Sequence, residues 1–335
     1  MYRMLLLAIV VVGLAPGTLI RTPTGLHSDV AVVAVTPVTS REGVEGALTL
    51  TGAWELSSAH GWFGGFSALV ASGPDSLIAG SDRGWLLDLD LSGAAPAAVP
   101  GSFRFIGQRV SSREEIVDLE ALARDPATGT LWAAFENFNL ITRIGADGTR
   151  DNRKPAAMRD WSKNSGPETM ARLAGGRFLI LAEGEERSGM VDRPALLFAT
   201  DPVASPRPPL AFRFVPEPGY DAVDATQLPD GRLLILLRRV TYTIPAEFST
   251  AIALADPAAI RPGKPWRARV IQRLSGDVFG DNFEGIAFIP DPADPARGAV
   301  WVIADDNFSA FQRNLLVRFS WNGQTPRPAS PPGHQ

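Results

Sequence analysis

The sequence predicts an all-β fold: a single β-propeller of five four-stranded blades, with six as the alternative count, closed by an N-terminal strand. Three observations carry that prediction. Five times, an acidic or hydroxyl residue opens a short apolar run, at Ser67, Glu120, Glu168, Asp224 and Glu284. A charged residue closes a second run downstream of each, at Asp82, Glu136, Glu183, Arg238 and Asp305. Successive units start 53, 48, 56 and 60 residues apart, a spacing that suits blades of four short strands. Finally, the last unit supplies three strands, whereas Leu48 to Leu56 forms a strand-like run ahead of the first unit. Pairing the two would leave no open sheet edge.

Taken in chain order, Arg3 precedes the apolar stretch Met4 to Ala15, which is long enough for a signal h-region and shorter than the ~20 residues of a membrane-spanning helix. Residues 1–25 are therefore expected to be a signal peptide or an uncleaved membrane anchor, and the protein to be periplasmic or secreted. The propeller is expected over residues 44–321. Within each unit a first run ends in a polar turn, as in Leu119 to Ala123 followed by Arg124 to Gly129, which reads as strand and turn. The second runs, Thr130 to Phe135, Arg177 to Ala182, Arg232 to Leu237 and Ala299 to Ala304, are almost continuously apolar, as suits strands buried on both faces. Third strands are expected at Trp85 to Leu91, Leu140 to Ile144, Ala195 to Ala199, Ala251 to Leu254 and Leu315 to Phe319, with fourth runs such as Leu210 to Val215 and Ala268 to Leu274. Residues 322–335 form a Pro-rich tail expected to be disordered. A β-sandwich is the competing architecture for so many short strands.

Composition narrows the function. The chain has 335 residues, 45% hydrophobic and 20% charged, which allows a large soluble core. A net charge of −4 without a basic cluster argues against nucleic-acid binding. Cysteine is absent and there are three histidines, which removes thiolate chemistry and disfavours His-rich zinc sites. His60 is the one histidine outside the chain ends, and no G-x-S-x-G elbow occurs, so a Ser-His-Asp triad is not expected. A monomer is expected, with membrane contact only through an uncleaved anchor.

The paired charges fall at one end of each hairpin, which predicts one carboxylate-lined mouth at the propeller axis. Glu120, Glu168, Asp224 and Glu284 would line it, with Asp82, Glu136, Glu183 and Asp305 behind. Like charges ~4 Å apart cost about 4 kcal/mol at an effective dielectric near 20, so such a group must be protonated, paired or metal-bound. Ca2+ fits an all-oxygen donor set. The expected ligands are Glu120, Glu168, Glu284, Asp305 and Asp224, and Asp277, Asp281 and Asn282 lie close by in sequence. Glu136, Glu183 and Asp82 are candidates for general-base work. Arg83, Arg238, Arg143 and Arg313 are candidates for orienting an anionic group. Two plainer roles stay open: acids that tie turns together and arginines that neutralise them.

With these residues in view, the chain resembles the phytase-like family known as "esterase-like activity of phytase". The matching stretches are Phe63 to Leu69 with Gly80 to Gly84, Asp118 to Leu122, Gly166 to Met170, and Asp281 to Ala287. The resemblance implies a propeller related to calcium-dependent phytases, in which metal ions bridge carboxylates and substrate phosphates and activate water. This mouth carries more acids than bases, so a smaller phosphoester, a carboxylic ester or a lactone suits it better than a hexaphosphate. The expected function is an exported metal-dependent hydrolase of small ester or phosphoester substrates. The alternatives are a lactonase-type hydrolase and a non-catalytic periplasmic propeller that binds a ligand or protein.

Overall fold

A computed structural model describes residues 30–39, 46–111, 114–162, 166–184, 191–243, 247–274 and 279–324. The expected leader, residues 325–335 of the expected tail, and Asp277 lie outside these residues. Strands dominate the rest, and the only helices among the described residues are single 3-10 turns.

Five antiparallel blades surround one axis. Their innermost strands are Phe66–Gly73, Leu119–Arg124, Pro167–Arg172, Asp221–Gln227 and Asn282–Pro290, and each touches the next around a closed ring. The second strands are Ser76–Ser81, Leu131–Phe135, Phe178–Ala182, Leu233–Thr241 and Gly298–Asp305. They read as continuous apolar runs because both of their faces are covered. In the fourth blade, Leu234 and Leu236 pack towards the fifth blade, while Leu233, Ile235 and Leu237 pack towards the third. The period of two along a strand thus divides one run between two cores. Five such cores exist, one between each pair of neighbouring blades. Each fully buried Leu or Ile in them contributes roughly 1.5–3 kcal/mol.

Ring closure follows the predicted route. Leu48–Ser58 pairs antiparallel with Asn314–Trp321, Leu48 opposite Trp321 and Leu56 opposite Asn314, so the N-terminal strand completes the last blade. Its side chains divide between the two flanking cores, Leu48 and Ala53 on one side and Trp54 and Leu56 on the other. The count is five blades. Strand number per blade departs from four in three places. In the first blade, Ala97–Ala98 and Arg104–Phe105 both pair with Trp85–Asp90. Val33–Pro37 pairs outside Leu48–Ser58, and Pro265–Arg267 pairs in parallel with Leu210–Val215.

Candidate functional site: the carboxylate mouth

The mouth is built from a β-bulge repeated at the start of every innermost strand. Register slips by one residue between Phe66 and Ala68, Leu119 and Ala121, Pro167 and Thr169, Ala222 and Asp224, and Phe283 and Gly285. A bulge leaves one residue without a cross-strand partner and re-aims its side chain. The residues so released are Ser67, Glu120, Glu168, Val223 and Glu284. Three of the five are glutamates, and they act on one another from different blades: Glu120 is repelled by both Glu168 and Glu284.

Asp224 is placed differently from the other expected ligands. The bulge residue of its blade is Val223, and Asp224 stands one position further along. Its Oδ1 accepts from the amide of Ala225 at 2.8 Å and its Oδ2 from the amide of Ile286 at 2.8 Å, with a further bond from the Leu69 amide. The carboxylate therefore ties the innermost strands of the fourth, fifth and first blades inside the channel.

The residues expected to close the second runs, Asp82, Glu136, Glu183, Arg238 and Asp305, do occupy one equivalent position. Each directly follows the partner of the residue before the bulge. Glu136 is the hub. One carboxylate oxygen each from Asp118, Glu120 and Glu136 lie within 4.8 Å of one another, as do those of Glu136, Glu168 and Glu183. Among the described residues, no Arg or Lys forms an ion pair with Asp118, Glu120, Glu136 or Glu168.

Burial dominates the electrostatics, because removing a carboxylate from water disfavours its charged form. Burial pushes Asp82 up to about 7 against the pull of Arg83, with Glu284 and Asp118 adding repulsion. Glu136 is likewise pushed up to about 7 by burial, while the Gly166 amide, which donates to its Oε1 at 3.1 Å, works the other way. Glu120, Glu168 and Asp305 lie well above the usual carboxylate range, for burial first and neighbouring carboxylates second. Asp118 is also raised by burial, and Glu136 bonds to it in opposition.

The other half of the mouth is organised by Arg238. Its Nη2 donates to Glu183 Oε1 at 2.9 Å, and its Nη1 to Asn282 Oδ1 at 3.2 Å and to Glu284 Oε1. Asn282 Nδ2 also donates to Glu284 Oε1, at 2.7 Å. In both Glu183 and Glu284, Arg238 opposes the upward effect of burial.

Of the remaining expected cations, Arg83 is at the mouth, its guanidinium 4.5 Å from the Phe308 ring centre. Arg313 is on the rim and holds Asp281 at 2.6 Å. Arg143 is not at the mouth: it lies near the far end of Leu140–Ile144, opposite Trp132, and pairs with Asp151 and Asp201. His60 packs edge-on against Trp85 and Phe103, and its Nδ1 accepts from the Trp62 amide at 3.2 Å. Asp306 is spent on the amides of Gly65 and Phe308 and on Asn314 Nδ2.

Two residues at the site carry no signal in the paired-charge pattern. Asp118 is two positions before its bulge, where the other blades have Gly65, Gly166, Asp221 and Asn282. Its φ of 72° matches the 68° of Gly65, a left-handed conformation that costs a side-chain-bearing residue roughly 1–2 kcal/mol. Aligning the units on Val223 instead of Asp224 would have exposed that position. Asn139 is the second. It caps the 3-10 turn Glu136–Phe138 at φ 47°, and its Nδ2 donates to the Trp161 carbonyl at 2.9 Å. Its Oδ1 is buried with no hydrogen-bond partner among the described residues. A Cβ on Gly166 would stand 2.7 Å from Glu136 Cγ and 2.9 Å from that Oδ1, so only glycine lets these two side chains close on the loop.

Comparison with known proteins places the chain as follows. The family model described as Phytase-like, esterase-like activity of phytase, matches residues 61–308. No curated protein matches the sequence. Among solved structures, a gluconolactonase from Xanthomonas campestris is 10% identical with a TM-score of 0.43, over 85% of this chain and 97% of that one. A luciferin-regenerating enzyme is 14% identical with a TM-score of 0.40, over 88% and 97%. The virginiamycin B lyase from Staphylococcus aureus is 10% identical with a TM-score of 0.39, over 87% and 99%. At these values they bear on neither activity nor ligand, and the propeller is defined by its own strand order.

Proposed function

The chain belongs to the phytase-like family, and on that premise we propose that it hydrolyses small ester or phosphoester bonds with a divalent cation held at the carboxylate mouth. One observation carries this reading: two carboxylate triads share Glu136, and the buried, unpartnered Oδ1 of Asn139 lies beside them. The donors are all oxygen, charged and neutral together, which is the set that Ca2+ takes. Asp118, Glu120, Glu136 and Glu168 would hold the ion, with Asn139 offering an amide oxygen. When bound, such an ion polarises a carbonyl or phosphoryl oxygen and lowers the pKa of coordinated water.

The protein's own groups would do the rest. Asp82, pushed up to about 7, is suited to taking and returning a proton near neutral pH. Glu183 is the weaker candidate for that role, because Arg238 holds its Oε1. Arg83, on the aromatic face of Phe308, would orient an anionic group at the rim. The excess of acids over bases disfavours a polyphosphorylated substrate and favours a monoester, a carboxylic ester or a lactone. The apolar stretch after Arg3, taken as a leader, would place this activity in the periplasm or outside the cell. Calcium titration followed by calorimetry, then a screen of aryl phosphates, aryl esters and lactones with wild type and Glu136→Gln, tests the proposal. Heat of binding together with hydrolysis lost in Glu136→Gln is expected; hydrolysis unchanged by Glu136→Gln would move the site elsewhere.

A second reading has one observation in its favour. Arg238, Glu183, Glu284 and Asn282 satisfy one another, as residues do when they only hold blades together. On that reading the propeller is a binding module, and its acids and any calcium give rigidity. Calcium binding without turnover of any ester in the screen would favour it.

A further inference from the structure

We propose that Arg238 is a built-in cation standing where a second divalent ion would otherwise be held, so that the mouth is a single-ion centre on the side of the second and third blades. The inference rests on the metal reading above and deepens it.

Register supplies the first argument. Arg238 holds in the fourth blade the position that is acidic in the other four, Asp82, Glu136, Glu183 and Asp305. The bulge position of the same blade is Val223 where three others have glutamate, so the fourth blade brings no acid to either place. A positive side chain and an apolar one thus stand at the two positions that are both acidic in the second, third and fifth blades.

The donor set supplies the second. Arg238 receives two carboxylates and one amide oxygen, from Glu183, Glu284 and Asn282. Across the mouth, Glu136, Glu168 and Asn139 likewise offer two carboxylates and one amide oxygen, and among the described residues no Arg or Lys forms an ion pair with these carboxylates. Asn282 is turned for its task, since its Nδ2 donates to Glu284 at 2.7 Å and leaves Oδ1 for the guanidinium. One half of the mouth is thus satisfied within the chain, and the other keeps an orphaned amide oxygen. A guanidinium, with five donors in a fixed fork and a permanent charge, can serve several oxygens at once as an ion does.

The test is calcium stoichiometry, measured by equilibrium dialysis and elemental analysis on the purified full-length protein. Wild type and Arg238→Lys are expected to bind one ion per chain. Arg238→Asp, which restores the acid of the other blades, is expected to bind two. Arg238→Met, which adds no charge and leaves Glu183, Glu284 and Asn282 in place, is also expected to bind a second, more weakly. Circular dichroism with and without calcium keeps the result readable if these variants unfold when metal-free, since an ion in the vacated place should restore them. Two ions in wild type, one in both Arg238→Asp and Arg238→Met, or failure of calcium to restore either fold would overturn the proposal. Absence of binding in wild type would instead remove the metal reading and this inference with it.

Discussion

The second and third blades meet the mouth with Asp118, Glu120, Glu136 and Glu168, whereas Arg238 and Asn282 of the fourth and fifth gather Glu284 and, from the third blade, Glu183. The backbone is the same in both halves, down to the bulge that turns one side chain inwards. What differs is the neutralising charge. On the Arg238 side two carboxylates have a partner within hydrogen-bond distance. On the Glu136 side no Arg or Lys among the described residues forms an ion pair; Arg238 eases Glu168 and Arg83 eases Asp118 only without direct contact, and burial with mutual repulsion raises the carboxyls. A repeat fixes where side chains converge, and the residues at two positions per blade decide whether the convergence is self-sufficient or needs a ligand.

That contrast is broken most severely by removing a ligand from the acid half. Loss of an outer-shell partner typically weakens metal affinity 10–100-fold, so Glu136→Gln or Glu168→Gln, acting on a ligand itself, should cost above about 100-fold in calcium affinity by calorimetry. Glu55→Gln, outside the mouth, should cost nothing.

Next in size is the sign of the stability change without metal. Arg238→Met leaves Glu183 and Glu284 without their cation, and breaking such a buried pair costs about 3–5 kcal/mol. Glu136→Gln removes one of several crowded charges and should raise the metal-free melting temperature. Equal effects of the two changes on chemical denaturation would erase the distinction between the halves.

The pH dependence sharpens the same point. Asp82 and Glu136 rise from 3.8 and 4.5 to about 7 on folding. A group whose folded pKa is raised supports the fold below its unfolded pKa and loses that support as pH rises through the folded value. Metal-free protein should therefore melt at progressively lower temperature from about pH 4 to about pH 7, and saturating calcium should flatten the decline. A melting temperature that climbs across this window without metal would contradict it.

The smallest expected effect is at Asp118. Replacing it with glycine, which Gly65 already is in the first blade, relieves a left-handed backbone worth roughly 1–2 kcal/mol and removes one charge from a triad. Asp118→Gly should be more stable than wild type without calcium and bind calcium less tightly. Loss of stability in both states would mean that the side chain is needed for the local fold.

Much of this was legible beforehand. The strands, the circular closure through Leu48–Ser58, the five blades and the convergence of Glu120, Glu168, Glu284, Glu136 and Asp82 all follow from period and pattern, because strand alternation and turn chemistry are local. Asp224 shows where that reading stops. From sequence alone it is the acid nearest the expected place, yet a bulge shifts the register by a single residue and puts Val223 in the bulge position in its stead, packed into the core between the fourth and fifth blades. Arg143 shows the same limit in another form, since its approach to Asp201 joins segments 58 positions apart.

By itself, then, the sequence determined that this chain forms a ring of hairpins with its acids gathered at one end, since each blade is specified by residues near one another in the chain. Only the tertiary structure decided which acids face each other unaccompanied and which share Arg238. Charge compensation across the mouth depends on distances between blades, and those distances exist only once the first and last strands have closed the ring.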